Sequence, residues 1–233
     1  MTSDPYSPQV GYLKSFGRRR GKKLRPGRER LMAQLLPQIS IDPNRSIHDQ
    51  FPPAIKSLWL EIGFGGGEHL AAQANAHPDV GLVGCEPFID GVAKLLAQVD
   101  AENLQNVRIH GDDARQIFST FDQASIDRIF VLFPDPWRKA RHHKRRLIQD
   151  DILNDFAKLL KDGGELRVAS DHMDYVRWTL AHVMRHENFE WTAEGPTDWR
   201  VPPTDWIRTR YEQKALAKGD RCVYLCFRRK ART

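Results

Sequence analysis

Four acids in this 233-residue chain stand at the ends of apolar runs: Glu61 in SLWLEIGF, Glu86 after VGLVGC, Asp113 after VRIHGD and Asp135 in FVLFPDPW. A carboxylate that closes an apolar strand is badly placed to be a merely solvated charge, and well placed to accept hydrogen bonds from a ligand. Between the first two acids, Gly63, Gly65 and Gly67 alternate with other residues, a pattern that permits a tight turn and a close approach of ligand to backbone. Taken alone, the glycines fit an ordinary strand-to-helix turn equally well. Glu86 lies roughly twenty residues beyond them, the spacing at which an acid takes both hydroxyls of a ribose. Asp113 has two readings, an acceptor for an adenine amino group or the N-cap of the next helix. Together the three strand ends describe an adenosine pocket. At the fourth, Pro136 disfavours helix at Asp135 and holds it in an extended turn, with Trp137 free to stack or pack.

The fourth acid is joined to a dense cationic run, Lys139, Arg141, His142, His143, Lys144, Arg145 and Arg146, which reads as a clamp for phosphates. Two further runs, residues 18–30 and the C-terminal FRRKAR, contribute to a formal net charge of +6. Three separate basic runs point to nucleic acid rather than to a small acidic substrate. Adjacent histidines amid arginines lack a carboxylate partner, so His142 and His143 are not expected to bind metal. The three cysteines, Cys85, Cys222 and Cys226, are too few and too badly spaced for a disulfide framework or a zinc site. No apolar stretch is long enough to span a membrane, and no signal-peptide core opens the chain. A reducing, cytoplasmic compartment is the expectation, with no membrane partner.

The elements that must carry these residues alternate. Strands are expected over 57–64, 80–87, 107–112, 125–136, 165–171 and 221–229, and helices over 67–76, 89–103, 114–121, 145–164 and 173–186. This alternation predicts an α/β fold, a mostly parallel central sheet with helices on both faces, whose ligands bind beyond the carboxyl ends of the strands. Residues 1–50 are expected to be a basic, partly flexible extension, with residues 1–27 as an arm that need not be ordered without a partner, and 51–233 the Rossmann-like domain.

A dinucleotide fold wants GxGxxG, whereas this chain has GxGxG preceded by an acid. That arrangement resembles class I S-adenosylmethionine methyltransferases, with Glu61 able to attract the cationic methionine end. The segments LEIGFGGGEHL, GCEPF, FPDPWRKARHHKRR, the strand ending ASD at 169–171, and Thr209-Arg210-Tyr211-Glu212 stand in the order seen in bacterial single-subunit tRNA (guanine-N7-)-methyltransferases. The resemblance covers about residues 57–227 and departs from the family pattern at QKALAKGD, 213–220. It implies S-adenosyl-L-methionine as cofactor and a variable-loop guanine of tRNA as substrate; a monomer is expected in preference to a homodimer. It also implies that Glu61, Gly63, Gly65, Gly67, Glu86, Asp113 and Asp135 bind the cofactor, with Asp135 catalytic. Lys139, Asp171, Thr209, Arg210, Tyr211 and Glu212 match substrate-binding positions, and Arg141 to Arg146 an RNA-binding run. The alternatives are a methyltransferase for another RNA, a protein or a small molecule, and a non-catalytic RNA-binding protein of the same fold.

Overall fold

The structure, a computed structural model, describes residues 19–21 and 23–232, so residues 1–18 of the basic arm lie outside the described residues. Helices α1 (Pro26–Gln34) and α2 (Leu36–Ile39) come first. They are followed by β1 (Ser57–Ile62), α3 (Glu68–Ala76), β2 (Val80–Cys85), α4 (Ile89–Glu102), β3 (Val107–His110) and β4 (Ile126–Leu132). The chain continues through α5 (Asp150–Leu159), β5 (Leu160–Ser170), α6 (Met173–Arg185), β6 (Phe189–Trp191), α7 (Thr197–Arg200), α8 (Arg210–Ala217) and β7 (Val223–Arg229).

The strands form one sheet in the order β3-β2-β1-β4-β5-β7-β6. The first five are parallel, and β7 runs antiparallel to both β5 and β6. Period-two burial sorts β1 between two core layers: Leu58 and Leu60 join Ile129, Val131, Phe156 and Tyr175, while Trp59 joins Leu70, Leu82, Leu95 and Phe130 on the other face. From β1 the chain winds outward through β2 and β3, then returns to β4 on the other side of β1. That reversal opens a crevice beyond the carboxyl ends of β1 and β4. Glu86, Asp113 and Asp135 are delivered to one edge because they follow parallel strands, while Glu61 is the penultimate residue of β1.

Several expected boundaries differ. The helix expected over 114–121 is two short 3-10 turns, Ala114–Gln116 and Phe118–Thr120. The helix expected from residue 145 begins at Asp150, because the basic run first makes its own 3-10 segment over Ala140–Arg145. It ends at Leu159 rather than at residue 164, and β5 takes in Gly163 and Gly164. The second half of the N-terminal extension is not an appendage. Leu36, Ile39, Ile41 and Ile47 are buried in the two core layers, and Ser40 bridges to Ile109.

The C-terminal basic run is largely used inside the molecule. Arg229 is 6% exposed and bonds the Ala157 carbonyl at 3.2 Å and Asp162 at 3.0 Å. Arg232 donates to the carbonyls of Ala157, Lys158 and Leu160 at 3.0, 3.1 and 2.7 Å, covering the negative end of α5. One of the three cationic runs is thus in good part a helix cap rather than a surface for nucleic acid.

Candidate active site

The turn after β1 needs its glycines: Gly63, Gly65 and Gly67 have φ of +76°, +58° and +79°, the left-handed region that side chains rarely enter. At Gly65 there is a second reason, since a Cβ would stand 2.9 Å from the Tyr211 ring. Glu86, at the end of β2, holds this turn in place. Its carboxylate accepts from the Gly65 N–H at 2.8 Å and from the Phe88 N–H at 2.9 Å, leaving lone pairs on both oxygens for further donors. Burial pushes the Glu86 carboxyl above its usual range; those two N–H donors oppose the shift, and the charges of Asp135 and Glu61 add to it. A desolvated acid whose own contacts only partly answer its charge suits a ligand that brings hydroxyl donors.

Glu61, expected at the methionine end of the cofactor, and Asp113, expected at the adenine, are both engaged within the protein. Glu61 is buried and takes the Nδ1 of His69 at 2.8 Å, and His69 packs edge-on to Phe130 at 4.7 Å. It lies behind the glycine turn rather than among the residues that line the cavity beside it. His69 was not singled out from the sequence, where nothing but its place early in α3 distinguishes it. Asp113 caps the 3-10 turn, accepting from the Arg115 N–H, Nε and Nη2 at 3.0, 2.9 and 2.7 Å. Of the two readings left open for it, the cap is the one its contacts make, with a single lone-pair direction remaining for a ligand.

Asp135 stands where two cavities meet. One, of about 420 Å³, is lined by Gly63, Gly65, Glu86, Phe88 and Leu147. The other, of about 440 Å³, is lined by Arg138, Asp171, His172, Lys214 and Lys218. Phe133, Pro134, Asp135 and Tyr211 line both. Among the described residues no ion pair or hydrogen bond answers the Asp135 carboxylate, and desolvation in the cleft raises its pKa. Phe133 and Trp137, on either side of it, have φ of +50° and +44°, so the loop is locally strained around the acid. Lys214 and Lys218 were not picked out from the sequence, and Arg138 stood out only as the first cation of its basic run; the cleft distinguishes all three from other surface cations.

The Thr209–Glu212 segment opens α8 and divides by role. Thr209 caps the helix through the Glu212 N–H at 3.1 Å, and Glu212 is fully buried, accepting from Trp206 Nε1 and the Tyr224 hydroxyl, both at 2.7 Å. Neither reaches the cleft; their expected substrate contact gives way to anchoring. Of the two residues between them, Tyr211 does reach it. Tyr211 lies over Gly65, and Arg210 passes over Gly66 to form an ion pair with Glu68. The segment 213–220, where the family pattern is interrupted, completes α8 and turns at Gly219, whose φ is +81°.

The basic run after Trp137 also divides. Lys139, Arg141 and Lys144 are exposed. His142 packs edge-on to Trp137 at 6.0 Å, His143 edge-on to Trp178 at 5.5 Å, and the Arg145 guanidinium lies 5.0 Å from the Trp137 ring. Arg146, expected in the RNA-binding run, is instead 1% exposed, with its guanidinium turned into the protein and away from solvent phosphates. The arm differs as well. The Arg19 guanidinium makes a two-pronged pair with Asp112 at 3.0 and 2.6 Å, and its carbonyl accepts from the Ile89 N–H at 3.0 Å. It thereby bridges the start of α4 and the turn after β3, beside Glu86 and Asp113.

A parallel sheet reversing at β1, a three-glycine turn tied to an acid at the next strand end, and a second cavity joined at Asp135 define a class I, Rossmann-like methyltransferase. A family described as putative methyltransferase matches residues 56–225. The rRNA methylase of Streptococcus thermophilus, 11% identical, superimposes with a TM-score of 0.52 over 76% of this chain and 88% of its own, a likeness of fold. The tRNA (guanine-N(7)-)-methyltransferase of Rhodospirillum rubrum is 53% identical over 93% of this chain and 88% of that protein. The protein of the same name from Rhodopseudomonas palustris is 45% identical over 97% and 92%. The chain belongs to the tRNA (guanine-N(7)-)-methyltransferase family.

Proposed function

We propose that this chain transfers a methyl group from S-adenosyl-L-methionine to N7 of a guanine in tRNA. The observation that carries the reading is the junction at Asp135 and Tyr211, which joins a glycine-and-acid cavity to a second one bordered by Asp171 and several cations. The first cavity fits the cofactor. Its turn leaves no room for a side chain at Gly65, and Glu86 offers free lone pairs to two ribose hydroxyls. Bound there, the cofactor supplies an electrophilic methyl on a cationic sulfur.

N7 of guanine carries a lone pair and no proton, so the protein need not supply a strong base. Its task is to hold the base in line, a proximity and orientation effect, with Tyr211 and the Phe133–Asp135 loop as the walls. The methylated ring is cationic, and the unanswered carboxylate of Asp135 is placed to stabilise that charge as it develops, or to accept from the guanine N–H groups. Asp171, at the far side of the second cavity, is a further acceptor for that edge. Lys139, Arg141 and Lys144, exposed beside the loop, supply phosphate contacts, in keeping with a cytoplasmic tRNA enzyme. Incubating the protein with unmodified tRNA and the cofactor should yield 7-methylguanosine on nucleoside mass mapping. A methylated product on protein or a small molecule, and none on tRNA, would defeat the reading.

The cations give a separate expected result. A Lys139→Ala/Lys144→Ala pair should weaken tRNA binding and make its salt dependence shallower, by about one unit of log–log slope for each phosphate no longer neutralised. A Lys23→Ala/Arg25→Ala pair should do the same for the arm. It is a cleaner test than deleting residues 1–27, which would also remove Arg19 from Asp112 and Ile89. Unchanged slope and affinity in both pairs would mark these cations as solvated surface only.

A further inference from the structure

Arg146 closes a run of cations, yet it is among the most buried large side chains of the protein. Burying a guanidinium is costly unless its donors are matched, so its partners indicate its role. Its Nε donates to the carbonyl of Pro136 at 3.0 Å, and its Nη2 makes an ion pair with Asp174 at the start of α6. The guanidinium carbon also lies 4.9 Å from the Trp178 ring and 5.5 Å from that of Tyr175, both on α6. Trp178 then donates to the Ile148 carbonyl at 2.6 Å, and Gln149 to the Arg146 carbonyl at 2.6 Å, so the backbone that leaves Arg146 is tied down as well.

Pro136 follows Asp135 directly and precedes Trp137, one of the two bulky residues held at positive φ. Backbone in that region persists only when its surroundings over-determine it. The Arg146 fork is one such constraint, and it reaches across ten residues to the carbonyl next to the acid. We infer that Arg146 is a positioning residue for the methyl transfer: it locks the Asp135 loop to α6 and makes no phosphate contact. This rests on the function proposed above.

The role separates cleanly from phosphate binding in two variants of the full-length protein. Arg146→Lys keeps the positive charge but loses the planar fork that holds Pro136 and Asp174 together. Turnover should fall about ten- to a hundredfold, as expected when a reacting group is misplaced by a fraction of an ångström or more. Affinity for tRNA and its salt slope should stay as in the unaltered protein. Asp174→Asn removes a half-exposed negative charge outside the cleft and weakens the hold on Arg146. Turnover should again fall, whereas a phosphate-binding Arg146 freed from Asp174 would bind tRNA more tightly.

Kinetic constants, a tRNA-binding salt series and thermal melting on both variants decide between the two. If Arg146→Lys does not fold, Asp174→Asn carries the test alone. Full turnover in the folded variants, or a salt slope flattened as in Lys139→Ala/Lys144→Ala, would overturn the inference. An unaltered protein that makes no 7-methylguanosine would instead bring down the proposed function, and this inference with it.

Discussion

Replacing Asp135 by alanine is expected to lower turnover about a hundred- to a thousandfold, the range seen when one preorganised charge-stabilising group is removed. Cofactor affinity should change far less. Asp135 is a shared wall of both cavities rather than a support of the glycine turn, and its charge is one of the influences that raise Glu86. Removing it makes Glu86 easier to ionise. Asp135→Asn then distinguishes two roles. An amide still accepts a hydrogen bond from the guanine edge, so part of the activity should survive if acceptance matters, and little if the charge does.

The pH profile gives a further check. Although Asp135 is open to solvent, the cleft walls partly desolvate it and raise its pKa, so as pH falls its carboxylate is protonated above the ordinary range for an aspartate. Turnover should show an acid limb displaced upward accordingly, and that limb should vanish in Asp135→Asn. Single-turnover rates with pre-bound cofactor isolate this step from binding. Full activity in both variants would remove Asp135 from the catalytic account.

Glu86→Ala should instead be a binding defect. It removes the acceptor for two hydroxyls and the clasp on Gly65 and Phe88, weakening cofactor affinity by about 1.5–3 kcal/mol, roughly ten- to a hundredfold. Glu86→Gln should recover little, because its amide NH₂ would face a backbone N–H that needs an acceptor. The sign of the pH effect follows from the raised carboxyl. The folded chain keeps a proton on Glu86 at pH values where the unfolded chain has released it. The stability Glu86 lends therefore falls as pH rises through that interval. Hydroxyl donors favour the ionised form, so cofactor affinity should rise over the same interval and binding should release protons. Titration calorimetry in two buffers of different ionisation enthalpy measures this. Unchanged affinity in a folded Glu86→Ala protein would exclude the pocket.

Much of this architecture is written in local sequence. The apolar runs that became β1, β2 and β4 announce themselves, and a parallel sheet must collect their ends at one edge. Glu86 and Asp135 are therefore legible as cleft acids from the sequence alone. The left-handed glycine turn is equally local, since only glycine suits its backbone. The family follows from the same segments, because a motif is a record of neighbours along the chain.

Which way a side chain faces within such a motif is decided elsewhere. Lys144 and Arg146 are alike as members of one basic run, but the 3-10 turn over Ala140–Arg145 leaves one in solvent and presents the other to Asp174, 28 residues on. Glu212 reads as a substrate acid until Trp206 and Tyr224 claim both its oxygens. Arg19 reads as part of a loose arm until Asp112, 93 residues away, holds it beside the cleft. Glu61 turns to His69 on a helix whose packing no periodicity specifies. Residue type and spacing determined the strands, the turn and the edge where chemistry could occur. The tertiary structure determined which charges serve a ligand and which serve the fold, because a buried charge must find its partner at once, and those partners come from distant parts of the chain.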